Sequence, residues 1–200
     1  MVVSKISNEY KDWIKDKVDE NKVLCEKYPF LYPRNVFTDI LPDDYDYSYT
    51  WLDAMPDGWR VAFGERMCSE IRDALARADC LRDYRIYQIK EKFGELRWYS
   101  NYETDEVGDI ITKYSYISGF ICIVCGKPYP NARMVNAAWI SPYCKECYNG
   151  SDYDSISSKN DISNSITISG YRNGQRTERH IDVKNTWDSI VSDYNKLHGG

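Results

Sequence analysis

The chain has 200 residues, an ordinary apolar content, 18 Tyr beside 6 Trp, and a formal net charge of −5. That length can bury one sizeable core with an appendage, or two small cores, and the composition excludes a disordered or fibrous protein. Basic residues are not run together, which argues against a nonspecific grip on duplex DNA over the whole surface, and no stretch approaches the length of a bilayer span.

The N-terminus, MVVSKISNEYKDWIKDK, has no apolar signal core, so the expected location is the cytoplasm, where thiols stay reduced. The stretch SNEYKDWIKDKVDENKVLCEKY reads as a surface helix. Tyr10, Trp13, Ile14, Val18 and Leu24 approximate one stripe, and Pro29 and Pro33 forbid its continuation.

Next comes TDILPDDYDYSYTWLDAMPD, with six aspartates and no lysine or arginine. Tyr45, Tyr47, Tyr49 and Trp51 alternate, so an extended chain would set all four rings on one face. Two readings stand. The segment is an edge strand with its rings in the core, or it is a contact surface. In the second reading Asp43, Asp44 and Asp46 pair with a partner's arginines while the four rings supply rigid area.

Asp57 and Gly58 suit the start of a helix running to about Ala78, with Phe63, Met67, Ile71, Ala74, Leu75 and Ala78 as its stripe. YRIYQIKEKFGELRWYS predicts a β-hairpin turning at Gly94. Lys90, Lys92 and Arg97 lie on it beside Trp98 and Tyr99, and basic groups with aromatics are the ingredients of single-strand nucleic-acid binding. Glu91 and Glu95 dilute that charge, so a mixed solvent face is the alternative. Thr104 is a plausible N-cap for a short helix whose apolar face is Val107, Ile110, Ile111 and Tyr114.

Cys122-x-x-Cys125 and Cys144-x-x-Cys147 follow, separated by 18 residues. Each pair can fold two thiolates onto one ion, and two pairs complete a tetrahedron, the spacing of a zinc ribbon. A thioredoxin-like site needs one pair in a βαβ context, and an iron–sulfur cluster could use four cysteines, but this paired spacing is much more typical of zinc. Four protein ligands close the coordination sphere, which makes the expected Zn²⁺ structural. Cys25, Cys68 and Cys80 read as small core fillers.

A polar Ser/Asn/Asp-rich stretch after Tyr148 reads as a linker. Beyond it Asn173-Gly174 signals a hairpin turn that places Ile166 opposite Ile181 and Ile168 opposite Arg179. The last helix has Trp187, Ile190, Val191, Tyr194 and Leu197 on one side. Arg172, Arg176 and Arg179 on this hairpin are further candidates for anion contact.

Catalysis finds little support. His180 and His198 are the only imidazoles and lie far along the chain from the cysteines, which leaves a Ser-His-Asp or Cys-His arrangement, or an HNH-type nuclease, without its base. Asp57 with Gln88-Ile89-Lys90 resembles a degenerate restriction-nuclease pattern for Mg²⁺, but Gln88 supplies no charge. No catalytic residue is assigned.

MPDGWRVAFGERMCSEIRDAL, IKEKFGELRWY, CIVCGKP and WISPYCKEC together resemble a group of small proteins of bacteria and their phages that combine a K-[FY]-G-x-L-R-[FW]-Y hairpin with a C-terminal zinc ribbon. The likeness spans roughly Tyr28 to Tyr148. It implies a mobile-element setting, the host cytoplasm, and similarity in kind to inhibitors of host defence such as anti-CRISPR proteins. The expectation is an α+β fold: a core domain over 1–118, a ribbon over 119–149, a linker over 150–164 and a ββα subdomain over 165–200. The function expected first is a non-enzymatic, stoichiometric inhibitor of a defence effector such as a CRISPR nuclease. The alternatives are a nucleic-acid-binding accessory protein and a Mg²⁺-dependent nuclease.

Overall fold

The computed structural model describes residues 8–35, 37–129, 133–136, 140–148, 150, 161–172 and 175–198, with only the backbone at 8–14, 133–136 and 171–172. The fold is α+β, with helices and, among the described residues, three separate two-stranded antiparallel sheets. Among the described residues no helix is long and apolar enough to cross a membrane.

Helix α1 (Asn8–Lys27) buries Asn21, Leu24 and Cys25. It stops ahead of Pro29, which opens a single 3₁₀ turn (Pro29–Leu31) that drives Phe30 and Leu31 into the core. A second 3₁₀ turn, Trp51–Ala54, leads to a helical run in three parts: α2 (Asp57–Trp59), a π turn (Arg60–Gly64) and α3 (Glu65–Arg77). Trp59 and Phe63 are buried before or within the π turn, and Met67, Cys68, Ile71, Ala74 and Leu75 after it. The extra residue of a π turn lets one helix keep both sets facing inward.

Strands β1 (Ile86–Lys92) and β2 (Glu95–Ser100) form the expected hairpin, with Phe93 (φ 55°) and Gly94 (φ 77°) as its two turn residues. Ile89, Leu96 and Trp98 face inward. Helix α4 (Asp105–Ser118) covers them; Thr104 caps it, its Oγ1 accepting the Val107 N–H. The backbone of β2 is tied to this helix twice. The Leu96 N–H donates to Ser118 Oγ at 2.8 Å, and Ser115 Oγ donates to the Leu96 carbonyl at 2.8 Å. Those bonds satisfy backbone groups that a lone hairpin would leave to water.

Strands β3 (Arg133–Asn136) and β4 (Ile140–Tyr143) pair between the two cysteine motifs. Strands β5 (Ser165–Arg172) and β6 (Gln175–Asp182) pair in the expected register, Ile166 opposite Ile181 and Ile168 opposite Arg179. The Asn173-Gly174 turn, and residues 151–160 of the expected linker over 150–164, lie outside the described residues. Helix α5 (Lys184–His198) then packs Trp187 and Ile190 into the same core as α3 and α4, with Phe120 edge-on to Trp187 at 6.4 Å. Leu197 is 75% exposed, so the apolar side of α5 ends earlier than its periodicity suggests.

The aromatic-acidic segment corrects the extended reading. No strand forms between Asp39 and Thr50, and Tyr47 takes a left-handed φ of 62°, which breaks the alternation. The four rings divide into two groups. Tyr45 and Tyr47 lie 4.8 Å apart and both contact Tyr32, while Tyr49 packs against Trp51 at 6.3 Å.

Candidate metal centre and binding surfaces

The Sγ atoms of Cys122, Cys125, Cys144 and Cys147 all lie within 4.8 Å of one another, and Cys125 and Cys144 are 3.6 Å apart. Four sulfurs at about 2.3 Å from one ion form a tetrahedron with edges of about 3.8 Å, so the donor set fits a single tetrahedral metal ion. Each pair sits on a tight backbone turn. In the first, the Gly126 N–H donates to the Cys122 carbonyl and the Cys122 N–H to the Lys127 carbonyl, both at 3.0 Å. In the second, the Cys147 and Tyr148 N–H groups donate to the Cys144 carbonyl. The Ile123 N–H donates to the Pro142 carbonyl at 2.9 Å, tying the first turn to β4.

Burial pushes the Cys122 thiol up, but the amides of Cys125, Cys144 and Val124 outweigh it and hold the group below its ordinary value. Such N–H groups favour the thiolate, the form that binds metal. At the surface, Lys127 and Glu146 pair at 2.9 Å and link the two turns. Burial raises the Cys144 thiol and pushes that of Cys147 up to about 11, so of these three Cys122 alone is lowered. Cys25 and Cys68 lie outside the cluster, fully buried, and burial pushes the Cys25 thiol up to about 11 and that of Cys68 further.

How the centre is attached to the rest of the chain is not visible in the cysteine spacing. The first turn of α2 lies directly on the first cysteine turn. The Gly58 N–H donates to the Ile123 carbonyl at 3.0 Å, and the Trp59 indole N–H to the Ile121 carbonyl at 3.1 Å. A Cβ on Gly58 would come within 2.7 Å of the Gly126 nitrogen and the Ile123 carbonyl carbon, and would clash harder with the Cys122 carbonyl oxygen. Gly126 holds a φ of 75° that few other residues adopt, and a Cβ there would meet the Gly58 carbonyl oxygen at 2.7 Å. Two glycines thus let two backbones touch.

The segment between Asn35 and Thr50 is supported from below by Asp53, whose carboxylate is only 5% exposed. It accepts the Thr50 N–H at 2.6 Å and the Asn21 side-chain amide at 3.2 Å, and it pairs with Arg60 and with Lys17 at 3.3 Å. Asn21 donates as well to the Tyr47 carbonyl at 2.9 Å. Arg85 grips Asp39 through two nitrogens and holds its carboxyl below the usual range. Above these supports Asp43, Asp44 and Asp46 are exposed, Tyr45 and Tyr47 are half-buried, and Tyr49 is exposed beside a half-buried Trp51. Phe37 and Ile40 are 93% and 62% exposed, and no pattern in the sequence marks either, because an isolated apolar residue in a loop carries no periodic signal.

The basic candidates separate by their partners. Arg179 is held by Asp105 at 3.0 Å and Asp109 at 2.8 Å, and Arg176 by Glu178 at 2.7 Å. The side chain of Arg172 lies outside the described residues. Lys90, Lys92 and Arg97 share the solvent face of the β1–β2 hairpin with Gln88, which accepts a hydrogen bond from Lys90. Asp57 lies apart from that face, in the first turn of α2. His180 and His198 are exposed; His180 Nδ1 lies 2.9 Å from Thr167 Oγ1, and His198 Nδ1 donates to the Tyr194 carbonyl.

No protein-family model matches the chain, and neither the curated proteins nor the solved structures yield a match. The functional reading therefore rests on geometry.

Proposed function

We propose that this is a non-enzymatic binding protein that occupies a basic surface of a protein partner in fixed stoichiometry, on a scaffold held by a structural zinc ion. One observation carries the reading: the segment from Phe37 to Tyr49 is pinned by buried polar contacts yet exposes Phe37, Ile40 and Tyr49 together with Asp43, Asp44 and Asp46. Apolar anchors inside a field of one sign, already ordered, are what a charged partner surface selects for, since little entropy remains to be lost on docking. The resemblance to small phage and bacterial ribbon proteins directs attention to nucleases of defence systems, CRISPR effectors among them, whose nucleic-acid grooves are basic.

Zinc is the proposed ion because four thiolates in tetrahedral disposition suit it and leave no open position for water or substrate. Elemental analysis should give one zinc per chain; a different stoichiometric metal would replace that assignment. For the function, activity of a purified CRISPR nuclease is titrated with the protein. The expected result is inhibition that saturates at a fixed molar ratio and weakens by roughly tenfold or more when Asp43, Asp44 and Asp46 are all changed to lysine. Equal inhibition by that variant, or substoichiometric turnover of any component, would refute the reading.

A further inference from the structure

The solvent face of the β1–β2 hairpin is a second surface, opposite in charge to the first. The register sets Gln88 across from Tyr99, Lys90 across from Arg97, and Lys92 across from Glu95, all on the face away from buried Ile89, Leu96 and Trp98. That face carries three cations against one carboxylate, in a chain whose net charge is −5. Glu91, the other acid of the hairpin, belongs to the opposite face, where its Oε1 accepts the Gly94 N–H.

Two features of this face work against the stability of the hairpin. Lys90 and Arg97 are like charges placed directly opposite each other, an arrangement that destabilises a strand pair. Arg97 has Glu95 at 3.2 Å, but neither Lys90 nor Lys92 forms an ion pair among the described residues. The second feature is Phe93. It takes a left-handed φ of 55° at a turn position that favours Asn, Asp or Gly, and it remains 62% exposed. Strain of this kind persists only where the surrounding structure fixes it, here with the Gly94 N–H bonded to Glu91, and it clusters at functional sites.

The same residues form ordered cation–ring pairs. Lys90 Nζ sits 5.2 Å from the centroid of the Tyr99 ring, which is 43% exposed, and Lys92 Nζ sits 5.3 Å from that of Phe93. Each pair offers a flat π surface with a positive charge at its side. Between the register position of Tyr99 and the turn lie about five residues of strand, roughly 17 Å, enough for a short run of nucleotides.

We infer that this face binds single-stranded nucleic acid, with Tyr99 and Phe93 stacking on bases and Lys90, Lys92 and Arg97 lying along the phosphates. A single strand is favoured over duplex because its bases are open to stacking, and over an acidic protein because the exposed rings need flat partners. The acidic loop does not prevent this: at physiological salt the Debye length is about 8 Å, so a local patch is felt ahead of the net charge.

Binding of a fluorescent oligo-dT 15-mer to the full chain, followed by anisotropy from low to physiological salt, tests the inference. Affinity should fall as salt rises, and a duplex of equal length should bind more weakly. Lys90→Ala with Lys92→Ala should weaken binding about tenfold or more and flatten the salt dependence by roughly one to two phosphate equivalents. Tyr99→Leu, which keeps the charges, should cost about five- to tenfold. Unchanged circular dichroism and melting temperature would show that both variants fold. Absence of binding at low salt overturns the inference. So does binding indifferent to Tyr99→Leu, which would mark a nonselective polyanion patch, or a preference for an acidic protein over the oligonucleotide. The proposed role of the acidic loop is untouched by any of these results, since its aspartates lie on another segment.

Discussion

The cysteine ribbon and the acidic loop are both irregular chain, yet they are held in opposite ways. In the ribbon, backbone meets backbone: Gly58 and Gly126 touch, carbonyls of Ile121 and Ile123 accept from α2, and four cysteine sulfurs converge at one point. A metal ion held by the four sulfurs would add to these backbone contacts. In the loop, side chains do the holding. One buried carboxylate, Asp53, gathers donors from α1, from the 3₁₀ turn and from the π turn, and no metal is needed. The difference teaches which perturbation each region answers to: the first to chelators and acid, the second to loss of a charge.

The largest expected effect separates the two directly. Structural zinc contributes about 10–16 kcal/mol in isolated finger peptides. Stripping the proposed ion with a strong chelator should abolish hydrogen-exchange protection over 121–128 and 140–148, and weaken it at Gly58, while the Thr50 amide stays protected. Acid should release the ion as well, because the ligands bind only as thiolates. It also protonates the carboxylates that hold the loop, so the chelator is the selective agent. If the Thr50 amide opens together with the ribbon, the two regions are one cooperative unit and the contrast fails.

Asp53→Ala is the reciprocal experiment. Removing the buried partner of Arg60 and Lys17, and the acceptor of the Thr50 N–H, should cost about 3–5 kcal/mol in denaturant unfolding. The stoichiometric metal content should be unchanged. Gly58→Ala places a methyl group against the first cysteine turn and should destabilise by about 1–3 kcal/mol, with weakened metal retention in a competition against a chelating dye. Trp59→Phe keeps an aromatic ring but leaves the buried Ile121 carbonyl without its donor, an expected loss of about 1–2 kcal/mol by thermal or chemical melts.

The smallest effect is a pH dependence in the loop. Arg85 holds the Asp39 carboxyl below its ordinary value, so the contribution is fully present above the ordinary carboxylate range and is lost as pH falls through the depressed value. The pair is solvent-exposed and screened, so less than about 1 kcal/mol is expected. Stability curves of the parent chain and Asp39→Asn should differ near neutrality and converge in acid. A constant gap across that range would mean that the loop is held by packing and not by this charge.

Several of these features can be read from residue order alone. The four cysteines announce a shared site because a knuckle is local: two residues between ligands fix the turn, and the chemistry of sulfur fixes the rest. The ββα register is legible for the same reason, since alternation and a short turn leave few ways to pair Ile166 with Ile181. The aromatic alternation from Tyr45 to Trp51 misleads, because period two is only a statement about an extended chain. Tyr32 and Asn21, both distant in sequence, offer better partners to a folded-back loop. Nor can the charges be sorted: Arg179 and Lys90 look alike in a row of letters, and only one of them finds a pair of aspartates on α4.

By itself, the sequence determined what short-range geometry controls: where helices and hairpins begin and end, the four sulfur ligands, and the surplus of acid in one segment. The tertiary structure decided what depends on residues far apart in the chain. It seated the ribbon on Gly58, made Asp53 the support of the loop, neutralised Arg176 and Arg179 and, among the described residues, left Lys90 and Lys92 without an ion pair. Burial and ion pairing are properties of neighbours in space, and a periodicity along the chain carries no record of them.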